Sequence, residues 1–121
     1  MAKEEVHRRF ERIRKIAQRH KVLSTPLYLR FLTGERDLLC SPWANVTRNP
    51  RGWKGPCYLI TDSHYKTYRE LMEDTDWEFF HQRRDKRCEN CKLHSGFEAS
   101  AAEQITRSFS DALEFGRWVV R

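Results

Sequence analysis

The residues best suited to chemistry in this sequence are its four cysteines, Cys40, Cys57, Cys88 and Cys91. Cys88 and Cys91 form a CxxC motif, a spacing that lets two thiolates approach one metal from a single turn. Cys40 and Cys57 form a wider pair with sixteen residues between them; Cys40 precedes Ser-Pro and Cys57 follows Gly-Pro. Glycine and proline allow the sharp bends that a chain needs around a compact inorganic centre. The pattern therefore predicts that the four thiolates bind one metal centre.

Four thiolates suit two kinds of centre, a tetrahedral Zn²⁺ ion and an iron–sulfur cluster, and the residues alone leave both open. The competing interpretation is that some of the cysteines are ordinary buried thiols. A thioredoxin-type redox motif is disfavoured, because no βαβ pattern surrounds the CxxC pair. His94 could replace a ligand or donate to one, although an ordinary loop histidine is an equally good interpretation. Trp43, Trp53 and Trp77 could shield a cluster from water, but core packing is the better explanation for each.

Composition and charge indicate a cytoplasmic protein. The N-terminal stretch MAKEEVHRRFERIRK is charged from its third residue, and no apolar run is long enough to span a bilayer. Cytosolic thiols are kept reduced, which favours metal ligation over disulfides. The formal net charge is +6, but basic and acidic residues are interleaved. Nucleic-acid binding is therefore disfavoured relative to a solvated basic surface or a docking face for an acidic partner.

Helices and a small β hairpin are expected to position the cysteines, so the predicted fold class is mainly α with a small β element (α+β). Residues 3–21 repeat apolar side chains at steps of three and four, which predicts an amphipathic helix. A second helix is predicted from three signals: Thr25 as its cap, Pro26 in its first turn and Gly34 at its end.

The cysteine-bearing region has weaker secondary-structure signals. Its first part contains three prolines and two glycines without a helical period, which predicts an irregular loop or a short hairpin around Arg48–Gly52. The apolar run Cys57–Ile60 predicts a strand. Ser63 is expected to cap a helix that carries Tyr65, and a polar loop follows and delivers the CxxC pair.

One domain, residues 1–121, is expected, because the sequence has no internal repeat and no low-complexity linker. Its parts are a helical hairpin at residues 1–34, the cysteine-bearing metal-binding region at residues 40–97 and C-terminal helices at residues 98–121. A metal centre would help a domain of this size, whose core is thin.

Several stretches resemble the C-terminal region of hopanoid-biosynthesis radical SAM proteins, the adenosylhopene-forming enzymes. They are, in order, PLYLRFLTG at 26–34, CSPW at 40–43, GWKGPCYL at 52–59, YKTYRELME at 65–73 and CENCKLHSGFE at 88–98. The resemblance covers most of the chain, and the motifs are specific in order and spacing. It implies an accessory domain of the kind that radical SAM enzymes carry beside their barrel.

The resemblance also implies a metal. The first cysteine pair is similar to the opening of auxiliary-cluster domains, in which a cysteine, a variable gap and Gly-x-x-x-x-Cys follow one another. Here Gly52 takes the glycine position, with eleven residues between it and Cys40. By this likeness Cys40, Cys57, Cys88 and Cys91 would all ligate an auxiliary 4Fe–4S cluster.

The sequence departs from the family in one large respect, since it has neither the CxxxCxxC triplet nor the barrel that radical SAM catalysis requires. We therefore expect an accessory iron–sulfur module and not a complete radical SAM enzyme. It would serve electron transfer or structure, in hopanoid or isoprenoid-lipid chemistry, beside a radical SAM barrel protein or domain that acts in trans or in the same chain. The alternative prediction is a structural zinc-binding module for protein or nucleic-acid interaction, although the wide first pair does not match a common zinc ribbon.

Overall fold

In a computed structural model, which describes residues 2–121, the chain forms six α-helices and a three-stranded antiparallel sheet. The predicted fold class, mainly α with a small β element, is confirmed. The elements are α1 (Lys3–Ala17), α2 (Pro26–Leu32), β1 (Thr47–Asn49), β2 (Gly52–Pro56), β3 (Thr61–Tyr65), α3 (Tyr68–Asp74), α4 (Trp77–His81), α5 (His94–Arg107) and α6 (Phe109–Val119). They divide between two compact units. The first contains the residues up to Leu38 and from Glu98 onward, and the second contains Leu39–Phe97.

The first unit is helical, and α2 supplies most of its buried apolar side chains. The N-terminus of α2 is capped as the sequence predicts, since the Thr25 hydroxyl accepts a hydrogen bond from the Tyr28 N–H at 3.3 Å. Both α1 and α6 pack against α2. The buried residues of α2 are Leu27, Tyr28, Leu29, Phe31 and Leu32. Burial of each large apolar side chain contributes about 1.5–3 kcal/mol, which explains why this short helix is stable.

The chain requires glycine at position 34, just after α2. Gly34 has a φ of +80°, and a β-carbon on it would lie 2.5 Å from the His7 ring. Only glycine fits such a close approach in a left-handed conformation.

α1 ends at Ala17, earlier than the predicted end at residue 21. The N–H groups of Arg19 and His20 both donate to the Ile16 carbonyl oxygen at 3.0 Å. The charged side chains at this end of the helix bury no apolar surface that would stabilise another helical turn.

The second unit contains the sheet, in the order β1-β2-β3. β1 and β2 form a short hairpin around Arg48–Gly52, one of the two predicted possibilities, with Arg48 opposite Trp53. β3 adds a third strand on the other side of β2, with His64 opposite Lys54. Gly52 has a φ of +134°, and a β-carbon there would lie 2.5 Å from the Tyr65 carbonyl oxygen. The close pairing of β2 with β3 therefore requires glycine at this position.

Two secondary-structure predictions around the second cysteine are wrong. Cys57–Ile60 is a turn and not a strand, and Ser63 lies inside β3 and does not cap a helix. The next helix, α3, begins instead behind a capping box in which the Thr67 hydroxyl and the Glu70 carboxylate each accept a backbone N–H. A capping box satisfies two N–H groups, so it is a stronger start signal than one serine. β3 is polar, and its strand conformation comes from pairing with β2.

α4 follows α3 closely and ends at His81, which contacts Cys40. Its cap is Asp76, whose carboxylate accepts the Phe79 N–H at 3.0 Å. The Trp77 indole N–H donates to the Met72 carbonyl oxygen at 2.9 Å, which ties α4 to α3. Among residues 2–121, no helix has both the length and the apolar character needed to cross a membrane.

Candidate metal centre

The four cysteines all line one cavity of about 280 Å³ in the second unit. Each of them is half-buried and has a free thiol. Most of the remaining lining is apolar, with Pro42, Leu59, Ile60, Phe80, Leu93 and Phe97 as its main side chains. Both charged residues of the lining are arginines, Arg83 and Arg87. A cavity of this composition suits a centre with negatively charged sulfur ligands, because nearby cations favour the thiolate form.

Cys40 is positioned by contacts from the end of α4 and the start of α5. Its N–H donates to the His81 carbonyl oxygen at 3.1 Å, and the His81 Nδ1 donates to the Cys40 carbonyl oxygen at 2.5 Å. The next residue, Ser41, donates its N–H to the Gly96 carbonyl oxygen at 3.0 Å. A β-carbon on Gly96 would lie 2.6 Å from the Cys40 Sγ, so the thiol uses space that any other residue at 96 would fill. These contacts fix the thiol at the cavity.

Cys57 lies in a tight turn directly after β2. Its N–H donates to the Ile60 carbonyl oxygen at 3.2 Å, and the Ile60 N–H donates to the Cys57 Sγ at 3.3 Å. The two residues inside the turn, Tyr58 and Leu59, are exposed. The Lys54 ammonium donates to the Tyr58 carbonyl oxygen at 3.0 Å and closes the turn from outside. The hydrogen bond to sulfur is significant, because it stabilises a thiolate ligand.

Cys88 and Cys91 lie on one compact turn, as the CxxC spacing predicts. A short 3₁₀ helix, Lys86–Cys88, precedes the turn, and the Asp85 carboxylate caps it by accepting the Arg87 N–H at 2.8 Å. The Cys91 N–H donates to the Cys88 carbonyl oxygen at 3.1 Å. Both thiols are thereby held on the same side of the turn, next to the cavity.

Arg87 fastens this turn to the sheet. Its guanidinium donates two hydrogen bonds of 2.8 Å to Asp62 of β3 and further bonds to Asp85 at 2.7 and 2.9 Å. The hydrogen bonds from Arg87 lower the pKa of Asp62 and lower the pKa of Asp85 to about 2. A bidentate contact of this kind also specifies orientation. The clamp therefore holds the CxxC turn beside the turn that carries Cys57.

Arg83 supports the CxxC turn from the other side. It has a φ of +56°, unusual for a residue with a side chain, at the point where the chain leaves α4. Its guanidinium donates to the Glu89 carbonyl oxygen at 2.8 Å and to the Cys88 carbonyl oxygen at 3.4 Å. The same group lies 5.3 Å from the centre of the Phe97 ring. Arg83 thus brings a fixed positive charge to the cavity wall.

The protonation of the thiols reflects their surroundings. The pKa of Cys40 is raised to about 12, chiefly by burial and also by the neighbouring thiols of Cys91, Cys57 and Cys88, against an opposing effect of Arg83. Burial also raises the pKa of Cys88, with Asp85 and the other thiols acting in the same direction. The Cys40 thiol therefore responds to the other three thiols, which line the same cavity. Metal binding at this cavity must displace protons, since thiolates are the ligands.

The side chains surround the cavity without converging on a single point. Within the described part of the chain, no three His, Cys, Asp or Glu side chains stand so that they could hold one metal ion. The donor set nevertheless has the right chemistry, because four thiols face a largely apolar space of appreciable volume. Soft sulfur ligands of this number suit zinc or an iron–sulfur cluster.

The sequence pointed to all four cysteines but missed the residues that position them. His81 and Arg83 had no signal, because their contacts with Cys40 and the CxxC turn depend on folding. Arg87 was detectable only in part: its spacing from Asp85 suggests a local ion pair, but nothing local indicates Asp62. Long-range pairs of this kind cannot be found from periodicity or turn chemistry.

The other candidate residues lie away from the cavity wall. His94 is exposed at the start of α5. The Trp43 ring contacts the Trp77 ring edge to face, with 6.3 Å between ring centres, and its centre lies 5.1 Å from that of the His81 ring. Trp53 contacts a tyrosine of α3 at 5.4 Å. The three tryptophans therefore make packing contacts, and Trp43 contacts the ring of His81, which binds Cys40.

The chain matches a known protein family. A family model described as a domain of unknown function (DUF3463) matches residues 1–115, a span that contains all four cysteines. No curated protein and no solved structure matches the chain.

Proposed function

The chain belongs to the DUF3463 family, a domain of unknown function, and from its own residues we propose that it is an accessory iron–sulfur module. In this proposal the thiolates of Cys40, Cys57, Cys88 and Cys91 hold one 4Fe–4S cluster. The observation that carries the proposal is that four thiols from three separate parts of the chain line the same apolar cavity.

The size of the cavity favours a cluster over a single ion. Zn–S bonds are about 2.3 Å long, so a structural zinc ion draws its four sulfur atoms into contact around itself. A cluster of iron and sulfide ions instead occupies a volume between its cysteine ligands. The four thiols here line a cavity of about 280 Å³ and, within residues 2–121, no three ligand side chains converge on one ion, which supports the second arrangement.

The protein would supply binding and electrostatic control. The Ile60 N–H donates to the Cys57 sulfur, and Arg83 places a cation beside the CxxC turn. Hydrogen bonds and positive charge near the sulfur ligands raise the reduction potential of such a centre. Phe97, which is fully buried, and Leu93 form apolar parts of the cavity wall and would limit the contact of a cluster with water. When bound, the cluster would supply one-electron transfer.

The role that follows is electron transfer or structural support within a larger system. Four protein ligands would leave no coordination position for a substrate, which argues against Lewis-acid chemistry. Because the cysteine motifs resemble those of hopanoid-biosynthesis radical SAM proteins, we propose that the partner is a radical SAM barrel, in trans or in the same chain. We place the module in the cytoplasm, where thiols are kept reduced for cluster assembly.

The test is reconstitution of the purified chain with iron and sulfide under anaerobic conditions. The wild type should gain visible absorbance and, after reduction with dithionite, a paramagnetic signal. Cys57→Ser and Cys88→Ser should each lose most of both, whereas Val120→Ser, a change at a residue 86% exposed, should lose neither. The proposal is wrong if both cysteine variants keep the absorbance and signal of the wild type. A structural zinc module, the alternative, predicts a colourless protein.

A further inference from the structure

A second cavity, of about 360 Å³, lies in the first unit among α1, α2 and α6. We call it the arginine groove, after four of its lining residues, Arg14, Arg30, Arg117 and Arg121; Leu29 and Trp118 are apolar parts of its wall. We propose that the arginine groove binds a phosphate monoester that carries an apolar organic group. None of these residues lines the cysteine cavity, so this inference does not depend on the iron–sulfur proposal.

Two of the four arginines are already engaged by carboxylates. The Arg30 guanidinium donates to Glu35 at 2.8 Å and to Glu114 at 3.1 Å. Arg14 forms an ion pair with the same Glu35 and lies 3.8 Å from Glu11. Such pairs leave little net charge on Arg14 and Arg30, but they hold both guanidinium groups in place. Pre-organised guanidinium groups lose less entropy when they bind a ligand.

The other two arginines carry uncompensated charge. Arg117 and Arg121 are exposed and take part in no ion pair among residues 2–121. Both line the groove, on the side formed by the end of α6 and the residues after it. Two uncompensated cations match a dianion. A phosphate monoester is close to a dianion at neutral pH, since its second pKa is about 6, and guanidinium groups bind its oxygens in pairs.

The apolar part of the wall selects for an organic group next to the phosphate. Leu29 is 5% exposed and Trp118 is half-buried. The Trp118 ring is held by Phe115, at 5.5 Å between ring centres, and by the Lys21 ammonium, 5.3 Å from the ring centre. Lys21 itself is fixed by donating to the Val119 carbonyl oxygen at 2.8 Å. A rigid indole beside exposed guanidinium groups can contact the carbon skeleton of a ligand while its phosphate is bound.

Calorimetric titration of the full chain with phenyl phosphate tests the proposal. Phenyl phosphate should bind, phenol should not, and inorganic phosphate should bind more weakly than phenyl phosphate. Arg117→Gln should weaken phenyl phosphate binding about tenfold, because it removes a charge-assisted hydrogen bond. Trp118→Leu should weaken the binding of phenyl phosphate but not that of inorganic phosphate. Arg107→Gln is the control, since Arg107 is engaged by Glu103 and lies outside the groove.

Folding of the variants and binding to vesicles complete the test. Melting temperatures of Arg117→Gln and Arg121→Gln check that the variants fold, which their exposure predicts. Binding to vesicles that contain phosphatidic acid, together with binding of phenyl phosphate, would identify a lipid headgroup as the source of the phosphate; binding of phenyl phosphate alone would identify a soluble compound. No binding of either probe, or equal loss of affinity in Arg107→Gln and Arg117→Gln, would overturn the proposal.

Discussion

Gly96 lies directly against the Cys40 thiol, so there is no room for a side chain at position 96. A β-carbon at position 96 would lie 2.6 Å from the Cys40 Sγ, closer than carbon and sulfur can pack. The backbone of the same glycine accepts the N–H of Ser41, so the main chain cannot easily withdraw. The start of α5 therefore sets the position of the first cysteine at the cavity.

The first prediction is that Gly96→Ala lowers both stability and iron content. The new methyl group must push the Cys40 thiol from its place, and overpacking of this kind costs about 1–3 kcal/mol. Thermal unfolding of the metal-free protein measures the first effect, and iron analysis after anaerobic reconstitution measures the second.

Gly116→Ala is the matched control for this change. Gly116 lies in α6, and a β-carbon there meets no atom within 4 Å. Alanine is favoured over glycine inside a helix by about 1 kcal/mol, so this variant should be slightly more stable than the wild type and keep full iron content. If Gly96→Ala behaves like Gly116→Ala, the close approach of residue 96 to Cys40 is not present in solution.

The second prediction concerns Arg87 and acidic pH. Hydrogen bonds from Arg87 lower the pKa of Asp62 and lower that of Asp85 to about 2. A carboxylate with a lowered pKa in the folded state adds stability above its unfolded pKa, about 3.9, and loses that contribution as the pH falls through the folded value. The wild type should therefore lose this stability between about pH 4 and pH 2.

Arg87→Gln should lack that contribution at neutral pH and should show a smaller loss over the same acidic range. Urea unfolding of both metal-free proteins at a series of pH values provides the comparison. Because the ion pair is exposed, its effect on total stability is modest; the change in pH dependence is the clearer readout. Parallel pH profiles for the two proteins would show that the clamp between Asp62 and the CxxC turn does not form.

The third prediction concerns the reactivity of Cys40 in the metal-free protein. Only a thiolate reacts readily with iodoacetamide, and burial raises the pKa of Cys40 to about 12. At pH 9 the native protein should be alkylated at Cys40 roughly 500-fold more slowly than the urea-unfolded chain, because only about one Cys40 thiol in a thousand is then ionised in the folded state. Peptide mass spectrometry at timed intervals measures this rate. Equal rates in the two states would mean that Cys40 is not buried at the cavity.

Local signals allowed part of this fold to be predicted. α2 was predictable because its cap at Thr25, its first-turn Pro26 and its terminal Gly34 are adjacent in sequence and act independently of the rest of the chain. The hairpin around Arg48–Gly52 was predictable for the same reason, since prolines and glycines mark its turn.

The other parts of the fold depend on contacts that local sequence signals do not indicate. β3 is polar, and only its pairing with β2 makes it a strand, so a helix beginning at Ser63 was the natural but wrong prediction. Cys57 was assigned to a strand because it begins an apolar run, whereas the Ile60 N–H folds back onto its sulfur. The four cysteines were recognisable by type and spacing. The contacts that position them, such as His81 with Cys40, join residues about forty positions apart.

The metal content of protein isolated without oxygen distinguishes a 4Fe–4S cluster from a zinc ion. A 4Fe–4S cluster on the four cysteines predicts a brown protein with about four iron and four sulfide ions per chain and little zinc. The same centre predicts that Cys40→Ser, which removes one of the four proposed ligands, lowers both iron and sulfide together. A colourless protein that holds one tightly bound zinc ion and no sulfide would show that the four cysteines do not bind an iron–sulfur cluster.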